Sequence, residues 1–480
     1  MTPSSLPPSL SPVALNLKTK LAYGTGELSS EVPGSILTFF VLFFLTNVAG
    51  LNPALAGSVL LVANVWDAVL DPVVGYLSDR TQSSWGKRYP WMLAGSLPLG
   101  ISFFLFWLVP PLPNQGWLFG YYIAIAILFY TAYTMVVIPF STLGAELTQT
   151  YHERTHLISF KAAFSIGSSI FSLVLAQLIL GAVPNIFLRY ALLGGICGAI
   201  ACLAVYVCIW GTRSRFQWMQ QVRTPVQAPP RLALLPNVWS ALRTGSFWFV
   251  VGIYLCSWLG VQVTAAILPY FVVNYMGLSE VHFTQMALAV QGTAFLAMSL
   301  WGWLGQRIGK QAIYLMGIPL TLIAQGGLFM LQPGQVAGMY GLGILAGFGL
   351  ATAYIVPWSM LPDVVDLDEL NTGQRREGVF YGFVVQLQKI AVAIALFLVG
   401  KTLDWAGFVS TTGSQSALQP DTALNAIRWL VGPIPSVVLI GGLVLVVFYP
   451  ISKPVHDRIL IQLSDRRLPS RSPTEDVTDD

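Results

Sequence analysis

Residues 59–76 read Val59-Leu-Leu-Val-Ala-Asn-Val-Trp-Asp67-Ala-Val-Leu-Asp71-Pro-Val-Val-Gly-Tyr76. The run approaches the ~20 apolar residues with which a helix crosses the hydrocarbon core of a bilayer. Yet it carries two carboxylates four residues apart, a spacing that stacks them on one helix face. A charge at the bilayer centre costs at least ~2.5–3.5 kcal/mol on insertion scales, so intramembrane acids face a polar cavity and handle ions or substrate. One stretch thus predicts both a membrane-embedded fold and an ion site.

The rest of the chain agrees with a polytopic membrane protein. Of 480 residues, 55% are hydrophobic and 10% charged, against roughly 25% charged in soluble domains. Twelve apolar runs recur, approximately over 28–49, 55–77, 90–110, 117–143, 157–182, 186–210, 247–275, 283–305, 311–331, 337–361, 379–400 and 426–450. Lys and Arg set the orientation, because cytoplasmic loops keep positive charge. One side of this arrangement holds twenty of them and the other only Arg189, Lys401 and Arg428. Both termini are therefore expected in the cytoplasm of a multi-pass protein of the cell membrane. The net charge of +4 reflects this topology, so no nucleic-acid partner is expected. The expected working unit is a monomer in the lipid bilayer.

The polar segment Gly211–Gly245, with five arginines and Pro225-Val-Gln-Ala-Pro-Pro230, divides six spans from six. Echoes across it point to duplication, a common way to build transporters. Gly75-Tyr-Leu-Ser-Asp-Arg80 with Gly86-Lys87 is answered by Gly302-Trp-Leu-Gly-Gln-Arg307 with Gly309-Lys310. Ile138-Pro-Phe-Ser-Thr-Leu143 leading to Glu146 is answered by Val356-Pro-Trp-Ser-Met-Leu361 leading to Asp363. The predicted organisation is an N-terminal tail (1–22), a six-helix bundle (23–210), a cytoplasmic linker (211–245), a second six-helix bundle (246–452) and a C-terminal tail (453–480). Residues 1–17 and 454–480 read as disordered.

Other buried charges are few: Glu27 and Glu31 at the start of the first span, Lys161 in the fifth and Lys389 in the eleventh. Asp67 and Asp71 repel each other, so they either share a proton or hold a cation. The equivalent positions of the second half, Ala294 and Met298, are uncharged, which argues against a structural need common to both halves. Lys389 lies about three helical turns from the membrane edge, too deep for easy snorkelling, and needs a carboxylate from the other half. Glu27 and Lys161 lie nearer the surface, where snorkelling is open to them. The four histidines show no metal spacing; His152 and His156, at i and i+4, read as a solvated loop. No ATPase motif or nucleophile set is present, and an enzyme is not expected.

The loop Gly75–Arg88 resembles the signature of the major facilitator superfamily, an all-α fold of twelve transmembrane helices in two pseudo-symmetric six-helix bundles. The resemblance implies that Asp79, Arg80 and Arg307 latch the two halves on the cytoplasmic side. Trp66-Asp-Ala-Val-Leu-Asp-Pro72, Trp85-Gly-Lys-Arg-Tyr-Pro90, Leu361-Pro-Asp-Val-Val-Asp366, Arg375-Arg-Glu-Gly378 and Lys389 narrow it to the glycoside-pentoside-hexuronide:cation symporter family, to which the melibiose permease belongs. That resemblance implies that Asp67, Asp71 and Thr134 bind the coupling cation and that Lys389 approaches it. It also implies that Glu31, Lys161 and Tyr354 contact sugar. Gln386 and Gln388 could add polar groups for solute.

Departures from the sugar-transporting pattern fall at Ser30, Leu70, Val137 and Ser141. Leu70 and Val137 stand where oxygens are expected, and a hard cation such as Na⁺ wants several, whereas a proton needs one carboxylate. The shell as read from sequence leans toward H⁺ with Na⁺ at Asp67 and Asp71 the other choice; beyond that coupling ion no cofactor is expected. A glycoside or other small polar solute is the expected cargo. A second reading is a lysophospholipid, because sodium-dependent lysophospholipid symporters resemble this family and also lack the span-four acid. A non-transporting scaffold or sensor is the third, with little reason to keep Asp67, Asp71 and Lys389 in lipid.

Overall fold

The computed structural model describes residues 15–148, 151–222, 244–374, 376–413 and 418–467. Twelve of its helices are long and apolar enough to span a membrane: α1 Leu17–Val48, α2 Pro53–Arg80, α3 Tyr89–Phe106, α4 Gln115–Leu147, α5 His156–Ala182, α6 Ile186–Gln220, α7 Gly245–Tyr275, α8 Glu280–Ile308, α9 Lys310–Met330, α10 Val336–Thr372, α11 Glu377–Trp405 and α12 Asp421–Val447. These are the twelve predicted spans, most with longer ends; α3 stops at Phe106, short of the predicted 110, and α9 keeps its predicted length. Most of the predicted linker and tails, and His152, Arg375 and residues 223–243 with them, lie outside the described residues or side chains.

Local chemistry sets the helix starts. Asn52 caps α2 by accepting from Ala54 N with Pro53 in the first turn, and Asn114 caps α4 by accepting from Trp117 N; both satisfy backbone donors that a helix start leaves open.

Two ends of the bundle differ. At the far end, where α1 meets α2 and α7 meets α8, one apolar core runs from the first half into the second through Tyr270, Phe283 and Leu403. At the termini end the second half keeps a separate core around Phe247, Tyr314 and Val364. Among the described residues the halves thus share an apolar core at the far end and not at the other.

The tightest join is between α2 and α11. A Cβ on Gly400 would lie 2.4 Å from Pro53 O, and one on Gly57 would lie 3.0 Å from Phe397 O. Backbone-to-backbone contact at this crossing aligns α2 with α11 and so sets Asp67 and Asp71 opposite Lys389. Gly400→Leu should lower stability by about 1–3 kcal/mol through overpacking, read as an earlier melt in detergent; an unchanged melt would mean the crossing is looser than described.

The fold also holds an echo that the hydropathy pattern hides. Phe44-Leu-Thr-Asn47-Val-Ala-Gly50-Leu51 closes α1 and Phe271-Val-Val-Asn274-Tyr-Met-Gly277-Leu278 closes α7. Both close on a π-turn, and Gly50 and Gly277 adopt φ of 76° and 68°, the left-handed region that glycine takes without strain. Asn47 Nδ2 donates to Asn274 Oδ1 at 3.4 Å across the two halves.

The C-terminal tail departs from the disorder expected of it. Lys453–Arg467 forms a further helix, α13. Ile459 and Leu463 are buried, and His456 Nε2 lies 3.2 Å from Asp366 and 3.4 Å from Asp363 of α10. The segment's polar average conceals an apolar stripe at i and i+4, enough to dock a short helix.

Candidate cation and solute site

Asp67 and Asp71 are 3% and 7% exposed on α2. Lys389 of α11 reaches both, with Nζ 2.6 Å from Asp67 Oδ2 and 2.5 Å from Asp71 Oδ2. The second half therefore supplies the counter-charge, and the three groups sum to one net negative charge. Thr134 Oγ1 of α4 lies 2.8 Å from both Asp67 Oδ1 and Tyr130 O; with one proton it donates to one of them at a time. Trp66 Nε1 donates to Thr131 Oγ1 at 3.0 Å, fixing α2 on α4 beside the acids.

Gln386, read from sequence as a solute group, stands instead in this cluster. Its Nε2 donates to Asp71 Oδ2 at 3.2 Å. It adds a polar side chain beside acids that Leu70 and Val137 had seemed to leave without polar neighbours. The cue was available: Gln386 and Lys389 are three residues apart and so share a helix face.

A second charged pair lies between α1 and α5. Lys161 Nζ is 3.2 Å from Glu27 Oε1, and Glu27 is 4% exposed. Glu27 is not at the surface as its position near the start of the span suggested; a helix from elsewhere in the half covers it and provides a cation. Glu31, one turn on, is half-buried.

Among the other solute residues, Tyr354 OH lies 3.4 Å from Gln291 Oε1, and Gln388 Oε1 accepts from Tyr254 OH at 2.5 Å. Tyr354 and Tyr254 belong to an aromatic ladder, Tyr381–Trp358–Tyr254–Trp258–Tyr354, with ring centroids 5.2–6.2 Å apart. Such spacing is that of interacting aromatic pairs. Sequence reasoning missed all but Tyr354, although Tyr254/Trp258 and Tyr354/Trp358 are both i, i+4 pairs. Beside Tyr354 an apolar cavity of about 60 Å³ opens inside the second half, lined by Val261, Leu268, Met286, Val290 and Leu350, with Phe39 of α1 at its edge.

The proposed latch residues stay within their own halves in this structure. Asp79 pairs with Arg88 at 2.5 Å, Arg80 lies over Tyr76 and Arg307 over Trp303. Besides the Lys389 and Gln386 bonds to the α2 acids, contacts that cross between halves occur at the far end, where Arg189 Nη1 is 3.1 Å from Glu280 Oε2, Asn52 Nδ2 donates to Asp404 Oδ1 at 2.7 Å, and Thr46 Oγ1 is 2.7 Å from Tyr270 OH. Among the described residues no group of three or more His, Cys, Asp or Glu side chains converges as a metal site would require.

A family profile described as MFS/sugar transport protein matches residues 22–453. An uncharacterized symporter of Synechocystis sp. is 42% identical, over 96% of this chain and 98% of its own. The sodium-dependent lysophosphatidylcholine symporter 1-A of Danio rerio is 26% identical, over 92% of this chain and 87% of its own. Among solved structures, the nucleoside transporter NupG superposes with a TM-score of 0.62 at 12% identity, covering 90% of this chain and 99% of that one; that likeness speaks to the fold alone.

Proposed function

The chain belongs to the MFS/sugar transport protein family, and from that membership we propose that it is an alternating-access symporter whose coupling cation binds at Asp67, Asp71 and Thr134 in competition with Lys389. The observation that carries this reading is the position of Lys389. Its ammonium lies within 2.6 Å of both acids, where a transported cation would otherwise stand. The empty carrier offsets part of the charge of its buried acids with its own cation; an arriving ion releases Lys389 toward the space between the halves and readies that space for solute.

Na⁺ is the first ion to test. Two carboxylates, the Thr134 hydroxyl and the Gln386 amide offer the several oxygens a hard cation takes, which moves the balance away from the H⁺ leaning of the bare sequence. With both termini in the cytoplasm, as the Lys and Arg distribution predicts, the closed far end is extracellular and this state faces inward. In the outward-facing state Asp79, Arg80 and Arg307 would then come within reach of the opposite half.

For the solute we propose a glycoside or similar small organic molecule, held between Glu31 and Lys161 on one side and the aromatic ladder on the other. A second reading, a lysophospholipid, is supported by the small cavity beside Tyr354 and Phe39, whose mostly apolar lining suits hydrocarbon better than sugar hydroxyls. Counterflow in proteoliposomes against glycosides, pentosides and lysolipids, under separately imposed Na⁺ and H⁺ gradients, decides among these. If no gradient drives accumulation of any of them, the symport reading fails.

A cation that binds only the folded state stabilises it by RT ln(1 + [L]/Kd), about 2.7 kcal/mol at a hundred times Kd. Na⁺ is therefore expected to raise the melting temperature in detergent while K⁺ does not, and Asp71→Asn should remove the difference. Equal response to both salts would point to H⁺ or to no site at all.

A further inference from the structure

The far end is closed by more than helix packing. In the π-turn that ends α1, Ala49 N donates to Phe44 O and Leu51 N to Leu45 O, at 2.9 and 2.8 Å. The chain then turns away through Asn52 and Pro53, so the carbonyls of Thr46, Asn47 and Val48 take donors from elsewhere, as helix ends must. Those donors come from the other half. Thr411 N donates to Thr46 O and Gly413 N to Val48 O, both at 3.1 Å. Thr411 Oγ1 donates to Asn47 O at 2.8 Å and Ser410 Oγ to Leu51 O at 2.9 Å. Ala49 and Thr412 form an antiparallel bridge. The fit leaves no room at Gly50, where a Cβ would lie 2.3 Å from Thr412 Oγ1.

This segment travels with the second half. Gln419 bonds both the N–H and the carbonyl of Val409 at 2.9 Å, Thr422 Oγ1 donates to Ala406 O at 2.7 Å, and the ring of Phe408 packs 5.4 Å from Tyr270. Nor is the arrangement an automatic product of duplication. Fifteen residues, 406–420, join α11 to α12, whereas three, 183–185, join α5 to α6. The matching π-turn of α7 receives no backbone bond from that short connection among the described residues.

We infer that Phe408–Gly413 is a strap, carried by the second half, that sets how readily the far end opens. Rocking moves the halves as bodies, so its four bonds to residues 46–51 break together, while side-chain contacts such as Thr46 with Tyr270 can slide. The inference rests on the alternating-access reading above but assumes neither the ion nor the solute.

The test measures the opening directly. Spin labels at Pro113→Cys and Gln332→Cys, in exposed far-end connections of opposite halves, are placed in full-length protein whose four native cysteines are replaced, and the distance distribution is read by pulsed electron paramagnetic resonance in nanodiscs. Ser410→Ala/Thr411→Val is expected to raise the ratio of long to short distances about tenfold, the effect of losing two such bonds together. Gln419→Ala, which unpins the strap without touching the first half, should shift it the same way. Wild-type distributions in both variants would overturn the strap. Failure of gradient-driven uptake in the wild type would overturn the symport reading instead and leave the distance result standing.

Discussion

Lys389→Met is expected to leave solute exchange intact while lowering cation-driven net accumulation by at least about 100-fold. Net uptake needs the empty carrier to return, and in the empty state Lys389 is the ammonium that pairs with both Asp67 and Asp71. The acids are 5% and 8% exposed at their side chains. Removing one partner from such a buried ion pair typically costs about 3–5 kcal/mol, and each 1.4 kcal/mol is tenfold in a population. Two unpaired carboxylates would hold the variant in its cation-loaded form, which exchanges solute but does not reset. Cation binding should tighten for the same reason. Asp71→Asn has the opposite ionic consequence: Lys389 keeps Asp67, the cation loses a ligand, and downhill flux survives without accumulation. Exchange and net uptake measured side by side, with labelled solute in the same proteoliposomes, separate these outcomes. Accumulation by Lys389→Met at the wild-type level would make the bridge a static brace.

The parts of this arrangement that show through the sequence are those governed by the bilayer. A charge in lipid is expensive wherever its helix goes, so Asp67, Asp71 and Lys389 stand out without knowledge of neighbours, and the demand of Lys389 for a carboxylate in the other half follows from counting. The twelve spans follow from length and hydropathy alone. What stays hidden depends on which helix faces which. Glu27 looks peripheral in its own span and is buried by α5. Gln386 is as compatible with solute as with ion until α11 is laid against α2 by the Gly57–Gly400 crossing. The π-turn echo of Asn47 and Asn274 is carried by a few residues inside uniformly apolar helices, where hydropathy has no contrast. The strap is polar, loop-forming sequence, and its partners are main-chain carbonyls that no side-chain pattern announces.

The echoed acids Glu146 and Asp363 each take part in a brace, to Arg88 in the first half, one residue past the echoed Lys87, and to Lys310 in the second, and breaking the first should have the larger effect on stability. Arg88 immediately precedes α3, and Lys310 opens α9. A cation at a helix start is disfavoured by the helix dipole, so each needs acids nearby. Arg88 Nε bonds Glu146 at 3.2 Å, Nη2 bonds Asp79 at 2.5 Å and Nη1 donates to Ser78 Oγ at 2.9 Å. Lys310 Nζ bonds Asp363 at 2.7 Å and donates to Ser359 O at 2.7 Å. Both tie the start of a half's third helix to the end of its fourth. The Arg88 side chain is 10% exposed and Glu146 16%, whereas Lys310 is 35% exposed and water can replace part of what it provides. Arg88→Met should therefore cost about 3 kcal/mol, mostly through the unpaired Glu146, and Lys310→Met clearly less. Adding Glu146→Gln to Arg88→Met should restore part of the loss, because the stranded charge goes with it. Asp79→Asn should do little, its side chain being 63% exposed and exposed pairs contributing about 0–1 kcal/mol. Melting in detergent, followed for the single and double variants, reads all four. If the double variant is no more stable than Arg88→Met, the loss comes from the bond to Ser78 and the packing of the arginine stem, and the brace is not electrostatic.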